Sequence, residues 1–177
     1  MKTSSILFLA SALIATQFVT DQLPASGHDV IEPKRSLQRE LKVESLVNPD
    51  QLNQALKKQM DLPFKWGGKS PEAGGFDSSG LVSYVFKELG FNLDGNVKAQ
   101  YKKTEAVDRN NLIIGDLLFW STYKAELSHV GIYIGKDKFI TVGAKQGVAE
   151  FSITNWKEKY KLLGVRHVNQ SNLIMKE

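Results

Sequence analysis

The sequence predicts an α+β domain, with helices first and an antiparallel sheet after them. Three observations predict it. Apolar residues recur at helical spacing in two segments, at Leu52, Ala55, Leu56 and Met60 and again at Leu81, Val82, Val85, Phe86 and Leu89. From Leu112 onward the pattern changes to short apolar runs of strand length. Tight-turn residues rather than long helical crossovers separate those runs, so successive strands are expected to pair antiparallel.

The elements follow in chain order. Met1 and Lys2 precede an apolar run from Ile6 to Ala15, and small or polar residues continue through Gly27. That layout is a secretory signal peptide, assigned to residues 1–26, and the run of about ten residues falls short of the ~20 that cross a bilayer as a helix. Residues 27–48 are polar and charged around Pro33, and read as a flexible linker or N-terminal arm. The domain proper is expected over 49–168, followed by a short tail at 169–177.

Its first helix starts with Asn48 as cap and Pro49 in the first turn, and must end before Pro63. A loop rich in Gly and Ser from Gly67 to Gly75 leads into Phe76-Asp77-Ser78-Ser79-Gly80 and the second helix, with Gly90 placed for its C-terminal cap. Strands are expected over Leu117–Trp120, His129–Ile134, Phe139–Val142, Gly147–Ile153 and Leu162–Val168, with Gly135-Lys136-Asp137-Lys138 as a hairpin turn.

Composition narrows the chemistry. The 177 residues contain no cysteine, which excludes disulfides, a thiolate zinc site and any thiol nucleophile. The formal charge of +4 suits an anionic polymer, but the lysines are scattered rather than massed among aromatics, so no nucleic-acid partner is expected. His28, His129 and His167 have no carboxylate or cysteine cluster at ligand spacing, so neither a metal nor another cofactor is expected.

Two polar residues stand out. Ser78 falls at the head of the second helix, where backbone amides and the helix dipole favour negative charge. His129 opens a strand in Ser128-His129-Val130-Gly131-Ile132-Tyr133. A nucleophile at a helix N-terminus with a base on a rigid strand is an acyl-transfer arrangement. A capping sequence and a structural histidine give the same pattern, so the pair alone does not settle it.

The wider pattern does more. Pro63-Phe64-Lys65-Trp66-Gly67-Gly68, Gly75 to Val82, Gly115-Asp116-Leu117-Leu118-Phe119 and Ser128 to Tyr133 together resemble the NlpC/p60 family in order and spacing, over Asn48 to Val168. The resemblance implies a papain-like fold, with N-terminal helices on an antiparallel sheet of about five or six strands. It also implies a relative of secreted or surface cysteine peptidases that cut the peptides of bacterial cell wall, commonly between D-glutamate and a diamino acid. The implied partner is therefore peptidoglycan stem peptide or a wall fragment, bound by a monomer that is secreted or associated with the wall.

Carried over by position, the family's catalytic cysteine falls on Ser78 and its general-base histidine on His129. The third polar residue, usually a histidine, falls on Thr141, and the tyrosine of the Trp-Gly-Gly block falls on Phe64. The family's Pro-Arg pair falls on Asp94-Gly95. Asp77 and Ser79, which in some relatives hold the amine end of the wall peptide, are retained, as is Gln100. Phe64, Trp66, Asp77 and Ser79 are the implied substrate contacts, and Ser78, His129 and Thr141 occupy the catalytic positions.

A thiol near pKa 8.5 is readily ionised by an imidazolium and a helix head, whereas a serine hydroxyl is not. Serine chemistry needs proton transfer concerted with attack, by a base that a third group orients. Thr141, neutral and short, offers one hydrogen bond but no charge to support an imidazolium. The expectation is a catalytically degenerate binder. Three alternatives stay open: a cysteine peptidase with serine engineered into the nucleophile position, a Ser78/His129 hydrolase, and a non-enzymatic module with Trp120, Tyr123 and Trp156 on an interaction surface. The first leaves Phe64, Thr141 and Asp94-Gly95 unexplained.

Overall fold

The structure, a computed structural model, describes residues 45–174. The expected signal peptide, most of the expected arm, His28 and residues 175–177 lie outside the described residues. Helix α1 (Pro49–Lys57) begins where expected: the Asn48 side chain accepts from the Asp50 and Gln51 amides at 3.0 and 3.1 Å. It buries Leu52, Ala55 and Leu56, but ends sooner than the apolar spacing suggested. Met60 lies beyond it in a turn, next to Asp61 at φ 65°, and still packs on the core.

A two-strand hairpin, β1 (Lys69–Ser70) and β2 (Gly75–Phe76), leads into helix α2 (Ser78–Glu88). Helix α2 is capped by Asp77 and followed by Gly90 in the left-handed conformation. Helix α3 (Val97–Lys103) and strand β3 (Glu105–Ala106) come next, then β4 (Leu117–Ser121), β5 (His129–Gly135), β6 (Lys138–Gly143) and β7 (Gly147–Ser152). A one-turn helix α4 (Ile153–Lys157) and strand β8 (Lys161–His167) complete the order.

The six-strand sheet runs β3-β8-β4-β5-β6-β7 with every neighbour antiparallel. The β5–β6 turn places Lys136 and Asp137 at φ 51° and 62°, which matches the twist of the flanking strands. Asp137 also accepts from the Ser152 and Thr154 hydroxyls at 2.8 and 3.1 Å, so the turn is pinned to the start of α4.

Alternation along the strands gives the sheet two apolar faces. Leu117, Phe119, Val130, Ile132, Ile140 and Val142 face the buried stripe of α2, Leu81, Val82, Val85 and Phe86. Leu118, Trp120 and Phe139 face the other way, into a smaller cluster with Ile153 and Val165 against which Trp156 packs. Each fully buried side chain of this size contributes about 1.5–3 kcal/mol relative to exposure.

The packing extends past both expected domain edges. Val47 is buried against the position that Gly115 leaves open, and the Ser45 hydroxyl donates to the Ile114 carbonyl. At the other end the Ile174 amide donates to the Gly90 carbonyl at 2.8 Å, and Asn172 is buried.

Candidate functional site

The site is built around one carboxylate. Asp77 Oδ1 accepts from the Gly80 amide at 2.7 Å and the Ser79 hydroxyl at 2.9 Å, while Oδ2 accepts from the Gly67 amide at 3.1 Å. Asp77 therefore caps α2 and ties its head to the Trp66-Gly67-Gly68 turn in a single interaction set. The close approach demands glycine: a Cβ on Gly80 would sit 2.0 Å from the Gly68 carbonyl oxygen, and one on Gly68 would sit 2.3 Å from that of Gly75.

Ser78 is the first residue of α2 and is buried, 7% exposed. Its hydroxyl and the His129 ring line one cleft, with Phe64, Trp66, Asp77 and Ser79, but no hydrogen bond joins Ser78 to the ring. Phe64 is bridged to Phe76 along the backbone and is exposed; Trp66 is 72% exposed and meets the exposed Tyr123 edge-to-face at 5.4 Å. The cleft encloses about 1300 Å³, which exceeds a typical small-ligand pocket.

His129 is held from two sides. Its Nε2 lies 2.8 Å from Thr141 Oγ1, and Thr141 is fully buried on β6. Thr141 Oγ1 also lies 2.6 Å from the Val130 carbonyl oxygen, which can only accept, so the hydroxyl proton goes there. Thr141 must then accept from Nε2–H, and the neutral ring keeps its lone pair on Nδ1. The indole of Trp156 packs against the ring with centroids 5.0 Å apart. Burial pushes the His129 imidazole down to about 4, against the pull of the Asp77 carboxylate in the other direction.

Gln100 does not line the cleft. Fully buried on α3, its side-chain amide donates to the Ser79 and Leu93 carbonyls and the Ser83 hydroxyl at 2.9–3.0 Å, so it braces α2 behind the site. Of the three aromatics considered for an interaction surface, only Tyr123 is exposed. Trp120 is fully buried, stacked on Phe139, and Trp156 is partly buried among Trp120, Phe139, Phe151 and Tyr160. The contact of Trp156 with His129 had no signal in the sequence, because it depends on α4 folding back over the sheet. Among the described residues no group of three or more His, Cys, Asp or Glu is placed to hold a metal, and no helix is long and apolar enough to cross a membrane.

The sequence profile of the NlpC/P60 family matches residues 61–167. Among curated relatives, the gamma-DL-glutamyl hydrolase of Bacillus subtilis is 36% identical over 115 residues, covering 64% of this chain and 28% of its own length. The murein DD-endopeptidase MepH of Escherichia coli is 35% identical over 120 residues, covering 64% of this chain and 43% of its own. A crystal structure of a Staphylococcus aureus NLP/P60-family protein, described as similar to lipoprotein, superposes with a TM-score of 0.62 at 28% identity, over 76% of this chain and 47% of that one. The chain thus spans less than half the length of each of these three proteins. The profile match covers more than half of the sequence, and the fold is shared with a solved relative: the chain belongs to the NlpC/P60 family.

Proposed function

We propose that this chain is a secreted NlpC/P60 domain that binds peptidoglycan stem peptide without cutting it. One observation carries the reading: an alcohol, Ser78, stands at the head of α2 and lines the same cleft as an imidazole that burial keeps neutral against the pull of the Asp77 carboxylate and that a neutral hydroxyl, Thr141, orients. A base titrating near 4 is a weak acceptor for a serine proton at neutral pH, since general-base efficiency is greatest when the pKa lies near the working pH. Thr141 orients the ring but adds no charge to stabilise the imidazolium that attack would create.

Relatives named as a gamma-DL-glutamyl hydrolase and a murein endopeptidase support wall peptide as the ligand. So does an open cleft with Asp77 and Ser79 at its helix head and Phe64 and Trp66 beside them. In this reading residues 1–26 are a signal peptide, the segment before Ser45 is an arm, and the mature domain works as a monomer at the wall. The test is digestion of purified peptidoglycan. The expected result is no new diamino-acid amines above a Ser78→Ala control, with retention of the protein on wall fragments; release of such amines would overturn silence, and failure to be retained would overturn binding.

A second reading has its own observation. Because Thr141 takes Nε2–H, the neutral His129 ring keeps an unprotonated nitrogen, Nδ1, on the side away from Thr141, and a ring nitrogen free to accept a proton is what the base of a serine hydrolase must have. Labelling of Ser78 by a fluorophosphonate, lost in His129→Gln, would favour this reading over the silent one.

A further inference from the structure

The exposed apolar side chains of the described residues are not scattered. Six large ones are exposed, and three of them, Leu46, Leu173 and Ile174, lie near the two ends of the described residues. The other three are the aromatics Phe64, Trp66 and Tyr123, and all of these line the cleft. Trp66 and Tyr123 are 72% and 61% exposed although they touch each other edge-to-face. Each is tied to the site through its own loop. The amide of Gly67, next to Trp66, donates to Asp77 at the head of α2, and Tyr123 sits in the β4–β5 loop that runs into His129. A joined pair of exposed aromatics in a cleft is a binding surface, because burial would otherwise be their place.

The charges beside the pair narrow what it binds. Glu126, in the same loop as Tyr123, is shared by Lys124, at 3.0 Å, and by Lys98 in the first turn of α3. The two lysines are thus partly neutralised, and no concentrated positive field is left for an anion. The Lys124 ammonium also stands 5.8 Å from the centre of the Tyr123 ring, so a ligand cation drawn to that ring meets like charge. An aliphatic side chain gains most from a pocket that encloses it, and rings this exposed enclose little. What fits is a neutral ligand with a flat C–H face and a polar edge. A pyranose ring is of that kind: its axial hydrogens pack on the negative face of an aromatic ring while its hydroxyls stay hydrated. Uncharged hydrogen-bonding groups line the same cleft. They are the Thr122 hydroxyl, next to Tyr123 in the chain, and the Asn96 carboxamide, two residues before the Lys98 that pairs with Glu126.

We propose that Trp66 and Tyr123 form a sugar-stacking subsite, on which the chain takes a hexosamine ring of the wall glycan. The proposal rests on the stem-peptide reading above for the peptide part of the ligand and adds a carbohydrate part to it. Peptide still attached to glycan is then bound in preference to free peptide. Tyr and Trp side chains have few torsions to immobilise, so stacking on this pair costs little ordering.

The experiment follows the Trp66 indole N–H signal of the full chain by NMR while three ligands are titrated. They are an N-acetylated stem tripeptide, the same tripeptide carried on its disaccharide of N-acetylated hexosamines, and a linear tetramer of N-acetylglucosamine without peptide. The disaccharide is expected to tighten tripeptide binding about fivefold, the size of one good aromatic contact, and added salt should leave that gain unchanged. Tyr123→Phe keeps the ring and should keep most of the gain, whereas Tyr123→Ala, a change at an exposed side chain, should remove it. Equal binding of the two peptides by the unaltered chain, or a gain that survives in Tyr123→Ala, overturns the sugar subsite and leaves the proposed function standing. Binding of both sugar-bearing ligands with none of the bare tripeptide supports the subsite and overturns the peptide part of the proposed function. Binding of none of the three overturns both.

Discussion

Thr141 stands 2.8 Å from His129 and spends its own proton on the Val130 carbonyl, so it fixes which ring nitrogen carries hydrogen. A residue that the family resemblance marked as a loss thus retains half of the usual role, orientation, and lacks the other half, charge. Thr141→Val keeps the shape of the buried side chain but leaves the His129 Nε2–H and the Val130 carbonyl without their partner. The expected cost is about 1–3 kcal/mol of stability, read by chemical denaturation, together with a mixture of ring tautomers in the nitrogen NMR spectrum. A single unchanged tautomer in that variant would mean that Trp156 and the strand, not Thr141, orient the ring.

The neutral state of His129 has a consequence for stability against pH. The ring titrates near 6.5 in an unfolded chain and about 4 in the fold, so the unfolded state binds more protons between these values. Stability is then full above pH 6.5 and falls as the pH drops from 6.5 toward 4, by about 3 kcal/mol from this group alone. Asp116, whose carboxyl burial holds above its ordinary range, acts in the opposite sense at the acid end. Denaturation midpoints measured from pH 7 to 4 for the unaltered chain and His129→Gln separate the two: the glutamine variant should lose most of the decline. A ring Cε1–H resonance titrating near 6.5 in the folded protein would rule the effect out.

Much of this architecture was legible because it rests on local signals. The Asn48 and Asp77 caps, the apolar stripe of α2 and the Lys136-Asp137 turn each declare themselves within a few residues. Helix α3 did not, because Val97–Lys103 is largely polar and is held by one buried amide, Gln100, whose three partners lie 7–21 residues away. Strand β3 is two exposed residues that exist only through pairing with β8. At the site, Ser78, His129 and Thr141 were readable as positions, while the Thr141 proton direction and the Trp156 cover depend on long-range packing that no spacing rule contains.

The head of α2 owes its position to glycine at residue 80. Gly80→Ala drives a methyl into the Gly68 carbonyl, where backbone rather than a pliable side chain must give way. The expected cost is about 3 kcal/mol, with displacement of the Trp66 turn visible as a change in indole fluorescence. Gly67→Ala is the useful contrast: nothing stands within 4 Å of the added methyl, and only its φ of 71° opposes it, so the cost should stay near ~1 kcal/mol. Equal losses in the two variants would show that the turn and helix head are not in rigid contact.

Restoring a thiol tests how much of the chemistry has been lost. Ser78→Cys puts an ionisable group at the helix head, but the neighbouring ring still titrates near 4 and so gives the thiolate no standing cation at neutral pH. Thr141→His would supply a second imidazole where the present hydroxyl sits, and Phe64→Tyr a hydroxyl at the cleft wall. Since Thr141 is fully buried, the larger ring overpacks its site, and a stability loss of about 1–3 kcal/mol is expected alongside any gain. Peptidoglycan digestion should therefore show no hydrolysis by the single Cys variant and measurable release of diamino-acid amines only when the three substitutions are combined. Full hydrolysis by Ser78→Cys alone would mean that the rest of the machinery is intact, and that the serine by itself accounts for silence.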